Sequence, residues 1–255
     1  MDWLVDMLGL PIKFCSAGQG GGVIQHSASD STLCALLAAR ERVSDVSINE
    51  RGANRQLTAY ASAQAHSSIE KSCMISGIGR DQLRLIKVDE KFSMDPDALE
   101  TQIIEDKEKG LTPFFICGCV GTTSTLAMDP IEAIADIAKK YDLWLHVDAA
   151  MAGTASICPE FRFINHGVGK ADSYTFNPHK WLFTNFDCNA FFVSDRSALI
   201  KALSVLPEYL KNKATMEDDV IDYRGSTKKA GKKTKKDLKK GKATLISLLG
   251  YKNSI

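Results

Sequence analysis

Asn177-Pro178-His179-Lys180-Trp181 is the string best suited to covalent chemistry in this chain. Its lysine lies just beyond an expected strand, with a histidine and an asparagine close by. The string follows His146-Val147-Asp148-Ala149-Ala150, a second expected strand that ends in a carboxylate. A lysine amine adds to an aldehyde once it sheds its proton, and a partly buried position near other cations favours the neutral amine. A carboxylate at the end of a buried strand needs a partner. The protonated ring nitrogen of an aldehyde-bearing cofactor is one such partner, and the ion pair would keep that ring ready to accept electrons from a substrate. Each residue also has a plainer reading. A solitary strand-end aspartate is commonly a cap or a loop salt bridge, and a solitary lysine is commonly solvated. The two strings together favour the chemical reading.

The elements that must position these strings alternate as in an α/β domain. An amphipathic helix is expected from the first residues to about Leu10, with Leu4, Val5 and Leu8 on one side. A stretch rich in glycine follows, with Gly18, Gly20, Gly21 and Gly22. Ser27-Ala28-Ser29-Asp30 then opens a helix to about Arg42. A strand is expected at 57–61, a helix at 67–75 and a strand at 83–88. Asp95-Pro96 pairs an N-cap with a proline at the first helical position and opens a helix to about Lys109. The apolar run 113–120 has the length of a strand. Asp129-Pro130 repeats the cap signal, and the helix after it puts Ile131, Ile134, Ala138 and Tyr141 on one face. Strands are expected at 143–147, 173–176 and 190–193. Near-continuous apolar strands between helices indicate a mostly parallel sheet buried on both faces.

Composition narrows the class. Of 255 residues, 44% are hydrophobic and 25% charged, with a formal net charge of +1, as in a soluble globular protein that does not seek polyanions. The seven cysteines (Cys15, Cys34, Cys73, Cys117, Cys119, Cys158 and Cys188) suit reduced core thiols of a cytoplasmic protein. Cys117 and Cys119 form C-x-C on a strand and are expected on opposite faces. No further Cys or His stands at ligand spacing, so no metal site is expected. No apolar run is long enough to span a bilayer, and Met1-Asp2-Trp3-Leu4 lacks the pattern of a signal peptide. From 228 to 242, nine of fifteen residues are lysine and only Asp237 is acidic. With no aromatic residue among the lysines, this reads as a solvated or disordered segment and not as a nucleic-acid anchor. An apolar stretch at 243–251 could close the chain as a short helix.

The chain resembles the group II pyridoxal-phosphate (PLP) decarboxylases of the aromatic-L-amino-acid type over about 1–224. The resemblance rests on Gly22-Val23-Ile24-Gln25, Ser27-Ala28-Ser29, Gln64-Ala65-His66-Ser67-Ser68 and Gly121-Thr122-Thr123. It also rests on Trp144-Leu145-His146-Val147-Asp148-Ala149-Ala150, Cys158-Pro159-Glu160-Phe161-Arg162, Asn177-Pro178-His179-Lys180-Trp181, Asn185-Phe186-Asp187-Cys188 and Leu206-Pro207-Glu208-Tyr209-Leu210. It implies the large domain of a fold-type I PLP enzyme, a mostly parallel sheet with flanking helices, truncated here at both ends. Lys180 would hold PLP as a Schiff base, Asp148 would pair with the ring nitrogen, and His66 would stack on the ring. Ser27, Ala28 and Ser29 would meet the phosphate at a helix N-terminus, where N–H groups and the dipole favour an anion. Asn177 and His179 would add phosphate contacts, while Thr123 and Ala150 would line the ring. The implied reaction takes an amino acid, most simply an aromatic one, to its amine and carbon dioxide, in a cytoplasmic homodimer.

Other readings stay open. An aminotransferase of the same fold type would use the same lysine and aspartate, although the strings around Lys180 and His66 argue against it. A fragment that does not turn over is the non-enzymatic alternative. His26 stands where relatives usually have a small residue and is expected to crowd the phosphate loop, and Met151 where animal relatives commonly have tyrosine. The domain reading is a partial PLP-binding domain at 1–213, a connecting segment at 214–224 and a Lys-rich tail at 225–255. The tail resembles the late portion of a trans-isoprenyl diphosphate synthase, and Asp218-Asp219-Val220-Ile221-Asp222 fits that family's D-D-x-x-D motif. A chimeric reading frame joined there is the expectation.

Overall fold

Runs of β-branched and aromatic residues, punctuated by Gly, Pro and Asp, set the strands of this chain. The computed structural model describes residues 1–53 and 56–204. The chain divides into two units, Met1–Leu203 and Ser204–Ile255. The strings expected at 206–210 and 218–224, the connecting segment and the Lys-rich tail lie outside the described residues.

In chain order the elements are α1 (Asp2–Leu8), β1 (Gly21–Gln25), α2 (Ala28–Ser44), α3 (Ser47–Arg51), β2 (Leu57–Ser62), α4 (Ser68–Ile75) and β3 (Leu83–Ile86). They continue with α5 (Pro96–Glu108), β4 (Thr112–Cys119), α6 (Ile131–Tyr141), β5 (Trp144–Asp148), β6 (Ser173–Phe176), α7 (Pro178–Trp181), β7 (Asn189–Val193) and α8 (Arg196–Leu203). The strands form one sheet in the order β1-β7-β6-β5-β4-β2-β3. Pairings are parallel from β3 through β6, and β7 is antiparallel to both its neighbours. β7 therefore runs against all the other strands, whose carboxyl ends share one edge.

Helices cover both faces. α2 packs across β4, β5, β6 and β7, with α4 and α8 beside it. Its buried Ala35, Ala38 and Ala39 let its backbone approach the sheet closely. α5 and α6 pack on the other face against β3, β4 and β5, where Ile131, Ile134, Leu145, Val147 and Tyr174 share one apolar cluster. Burial on both faces explains why β4 and β5 read as continuous apolar runs. Among the described residues no helix is long and apolar enough to cross a membrane.

Three local expectations change. The Gly-rich stretch contains a strand, β1, that pairs with β7. Glycine is a weak strand former, but a Cβ at Gly22 would lie 2.6 Å from the Phe192 ring and one at Gly20 would lie 1.8 Å from the Lys13 carbonyl oxygen, so close packing demands it. Asp129 does not cap α6, which starts without a side-chain cap. Its carboxylate turns inward and accepts from the Met94 and Cys119 N–H groups at 2.8 and 2.7 Å, and burial pushes its pKa up to about 6. Cys117 and Cys119 share a face of β4, as the two-residue period of a strand requires. Hydrogen bonding with Cys117, followed by burial, raises the Cys119 thiol well above its usual range.

Candidate active site

The carboxyl edge of the sheet opens into a cleft of about 210 Å³. Open α/β sheets place ligands at this edge, because the loops there diverge and helix N-termini point toward it. Five strands deliver the residues named from sequence. β1 leads into Ser27, Ala28 and Ser29, β2 into His66, and β4 into Thr123. β5 ends in Asp148 with Ala150 beyond it, and β6 leads into Asn177, His179 and Lys180. All ten line the same cleft. Ser68, Cys119, Gly121, Thr122, Met151 and Phe186 also line it and were not named as site residues. Phe186 follows a loop that carries no periodic signal, and its ring centroid lies 4.2 Å from that of His179.

Ser27 has extended backbone and caps α2, its hydroxyl oxygen accepting the Asp30 N–H at 3.2 Å. The Ser31 N–H makes the first intrahelical bond, to the Ser27 carbonyl. The Ala28 and Ser29 N–H groups precede it and have no acceptor within the helix. They form an anion-seeking end on a seventeen-residue helix.

Asp148 accepts the Ala150 N–H at 3.0 Å. Burial pushes its carboxyl above the usual carboxylate range, while the Ala150 N–H and the charges of Lys180 and His66 act in the opposite sense. Among the described residues no ion pair reaches Asp148. A cation brought into the cleft would remove that mismatch. Lys180 is half-buried, and no hydrogen bond or ion pair within the described residues holds its Nζ. His66 Nδ1 accepts the Ser68 N–H at 3.2 Å, satisfying the first N–H of α4 while also lining the cleft. His179 Nδ1 accepts the Cys188 N–H at 2.9 Å. Burial, then the charge of Lys180, lowers the His179 pKa. An Nδ1 that accepts leaves the ring proton of His179 on Nε2. His26 does not crowd the cleft. It is largely exposed and lies 3.6 Å from Asp187.

The pyridoxal-dependent decarboxylase conserved domain matches residues 1–239. The chain belongs to this decarboxylase family. Tyrosine decarboxylase 2 of Narcissus pseudonarcissus is 47% identical over 228 residues, 88% of this chain and 45% of that protein. Phenylacetaldehyde synthase of Arabidopsis thaliana is 45% identical over 228 residues, 88% of this chain and 46% of that protein. The crystal structure of Oryza sativa TDC with PLP and tryptamine matches with a TM-score of 0.77 at 41% identity, covering 84% of this chain and 45% of that one. The seven-stranded sheet is thus that of the large domain of PLP decarboxylases, and the chain spans under half the length of these relatives.

The family uses pyridoxal phosphate, and the donor set of the cleft fits it. A half-buried carboxylate suits a protonated ring nitrogen, free helix N–H groups suit a phosphate, and the Lys180 amine suits an aldehyde.

Behind the cleft floor lies His146, a family-string residue given no role above. It is wholly buried, with Nδ1 2.9 Å from Ser173 Oγ and Nε2 3.5 Å from Thr32 Oγ1. Trp144 Nε1 can only donate to Ser173 Oγ, at 2.8 Å, and with the ring proton on Nε2 the serine donates its own proton to His146 Nδ1. The Nε2–H then faces Thr32, whose hydroxyl donates to the Ala28 carbonyl at 2.9 Å. Burial lowers the His146 pKa from 6.5 to about 3. The unfolded chain takes up this proton first, so the folded state loses stability as pH falls from about 6.5 toward about 3. The expected loss is roughly 1.4 kcal/mol per pH unit from this residue alone. Urea midpoints measured from pH 7 to pH 4 should show a shallower fall in His146→Gln. An unchanged slope would show that His146 carries none of the acid sensitivity.

Proposed function

We propose that this chain carries the cofactor-binding part of an enzyme that removes carbon dioxide from an aromatic L-amino acid. The observation that carries the reading is the convergence of the Lys180 amine, the half-buried Asp148 carboxylate and the free N–H groups of α2 on one cleft. Bound pyridoxal phosphate supplies an aldehyde that condenses with amines and a cationic ring that accepts the electrons left when the carboxylate departs. The chain's own residues do the rest. Asp148 holds a proton at the ring nitrogen, and its burial strengthens that ion pair. Ser27, Ala28 and Ser29, with Asn177 and His179, bind the phosphate and fix the ring in place. His66 would stack on the ring, while Thr123 and Ala150 would line it. Lys180 Nζ would hold the cofactor through its aldehyde. The residues lining the cleft would orient the substrate's carboxylate, and that orientation would decide the outcome. Free cysteines suit a reducing cytoplasm, and a homodimer is the assembly the resemblance implies.

Adding PLP and carboxyl-labelled tryptophan, dopa or tyrosine to the full chain tests the reaction. Labelled carbon dioxide released together with the amine is the expected result. Keto acid with the label retained would overturn it in favour of transamination. A cofactor-loaded chain without turnover would reduce the reading to a binding fragment.

A further inference from the structure

We infer that Asn189 is a positioning residue that sets the donor polarity of the phosphate end of the cleft, an assignment that rests on the cofactor reading above. Asn189 opens β7 and is completely buried in an otherwise apolar strand. A buried amide is tolerated where its atoms find partners, and this one is fully engaged. Its Nδ2 donates to the Phe176 carbonyl at 2.9 Å and to Asn177 Oδ1 at 2.6 Å, with Thr175 Oγ1 at 2.8 Å. Its Oδ1 accepts from Ser31 Oγ at 2.5 Å and Thr175 Oγ1 at 3.1 Å.

The Phe176 carbonyl fixes which way round this amide lies, because a backbone oxygen can only accept. With Nδ2 thus directed at β6, Asn177 must answer with its oxygen. Asn177 is itself buried and lines the cleft. Its remaining polar atom is Nδ2, which carries two protons and no acceptor lone pair. Asn189 therefore makes Asn177 a donor toward the cleft, the polarity an anion requires. The opposite flip would present an oxygen to a phosphate and repel it. Through Ser31 the same amide braces the first turns of α2, so the helix N–H groups and the Lys180 loop are referenced to a single buried side chain.

The test compares PLP with pyridoxal, which lacks the phosphate, by absorbance titration of the full chain. Asn189→Leu and Asn189→Ser are the variants, since the serine keeps a polar group too short to reach both Ser31 and Asn177. If the leucine variant does not fold, the serine variant decides. Loss of one hydrogen bond to a charged group predicts PLP affinity roughly tenfold or more weaker, with pyridoxal affinity unchanged within about twofold. In an Asn177→Ala background the substitution should alter the ratio of the two affinities far less, leaving only the share carried through Ser31 and α2. An equal loss for both ligands would make Asn189 merely structural and overturn the inference, as would an unaltered ratio in the variants. A wild-type chain that shows no PLP band would defeat the cofactor reading and this inference with it. A normal wild-type band beside an unchanged variant would defeat the inference alone.

Discussion

Replacing Lys180 by alanine should erase the visible absorption that pyridoxal phosphate develops with the wild-type chain, a loss of at least about a hundredfold in signal. The chain offers PLP many other amines, nine of them between 228 and 242. A solvated lysine near its ordinary pKa of about 10.4 is almost wholly protonated at neutral pH and so captures an aldehyde poorly. Lys180 differs by position. It is half-buried at the carboxyl end of β6, beside the free N–H groups that would hold the phosphate and so raise the local concentration of the aldehyde. Within the described residues its Nζ supports no ion pair or hydrogen bond, so the alanine variant should fold with an unaltered melting temperature. Absorbance titration of both chains, with borohydride reduction and peptide mapping of the trapped lysine, checks this. A band of equal strength in Lys180→Ala would assign capture to other lysines and remove the central residue of the proposed site.

Asp148→Ala should weaken PLP binding by a hundredfold or more while leaving the free chain as stable as before, or more so. The two effects have opposite signs for one reason. In the free chain the carboxylate is half-buried with a single N–H donor, and partial desolvation raises its pKa. The unfolded chain ionises this acid more readily, so as pH rises past the ordinary carboxylate range the residue subtracts stability, and alanine removes that burden. With the cofactor in place the same burial makes the ion pair to the ring nitrogen strong. Removing one partner of a buried pair typically costs about 3–5 kcal/mol, which corresponds to a hundredfold or more in affinity. Thermal melts without cofactor, set beside PLP titrations at pH 7, separate the two. A variant that melts much lower without cofactor would make Asp148 a structural residue. A variant that binds PLP as tightly as wild type would end its assignment to the ring nitrogen.

Much of this was legible in the residues themselves, wherever the signal is short in range. Asp95-Pro96 announced α5, and the Asp95 carboxylate does accept the Asp97 and Ala98 N–H groups. The apolar runs announced β4 and β5 because strands buried on both faces need no alternation. The strings holding Asp148 and Lys180 pointed to two residues that the fold does bring to one cleft. Similar local logic failed for Asp129, where the cap pattern is present but the carboxylate is drawn to the Met94 and Cys119 N–H groups. A competing pair of donors cannot be seen in a four-residue window.

The tertiary structure alone decided how the pieces are referenced to one another. β1 exists because β7 lies beside it, and its glycines are weak strand formers that only a neighbour's hydrogen bonds make extended. His146 and Asn189 look like ordinary polar residues in apolar strands until the sheet order puts β7 next to β6 and α2 across both. The bond from Ser31 to Asn189 joins residues 158 positions apart. Side-chain type and local spacing specify which atoms can donate, accept or react. Which of them meet depends on long-range register, set by the burial of whole strand faces rather than by any single string.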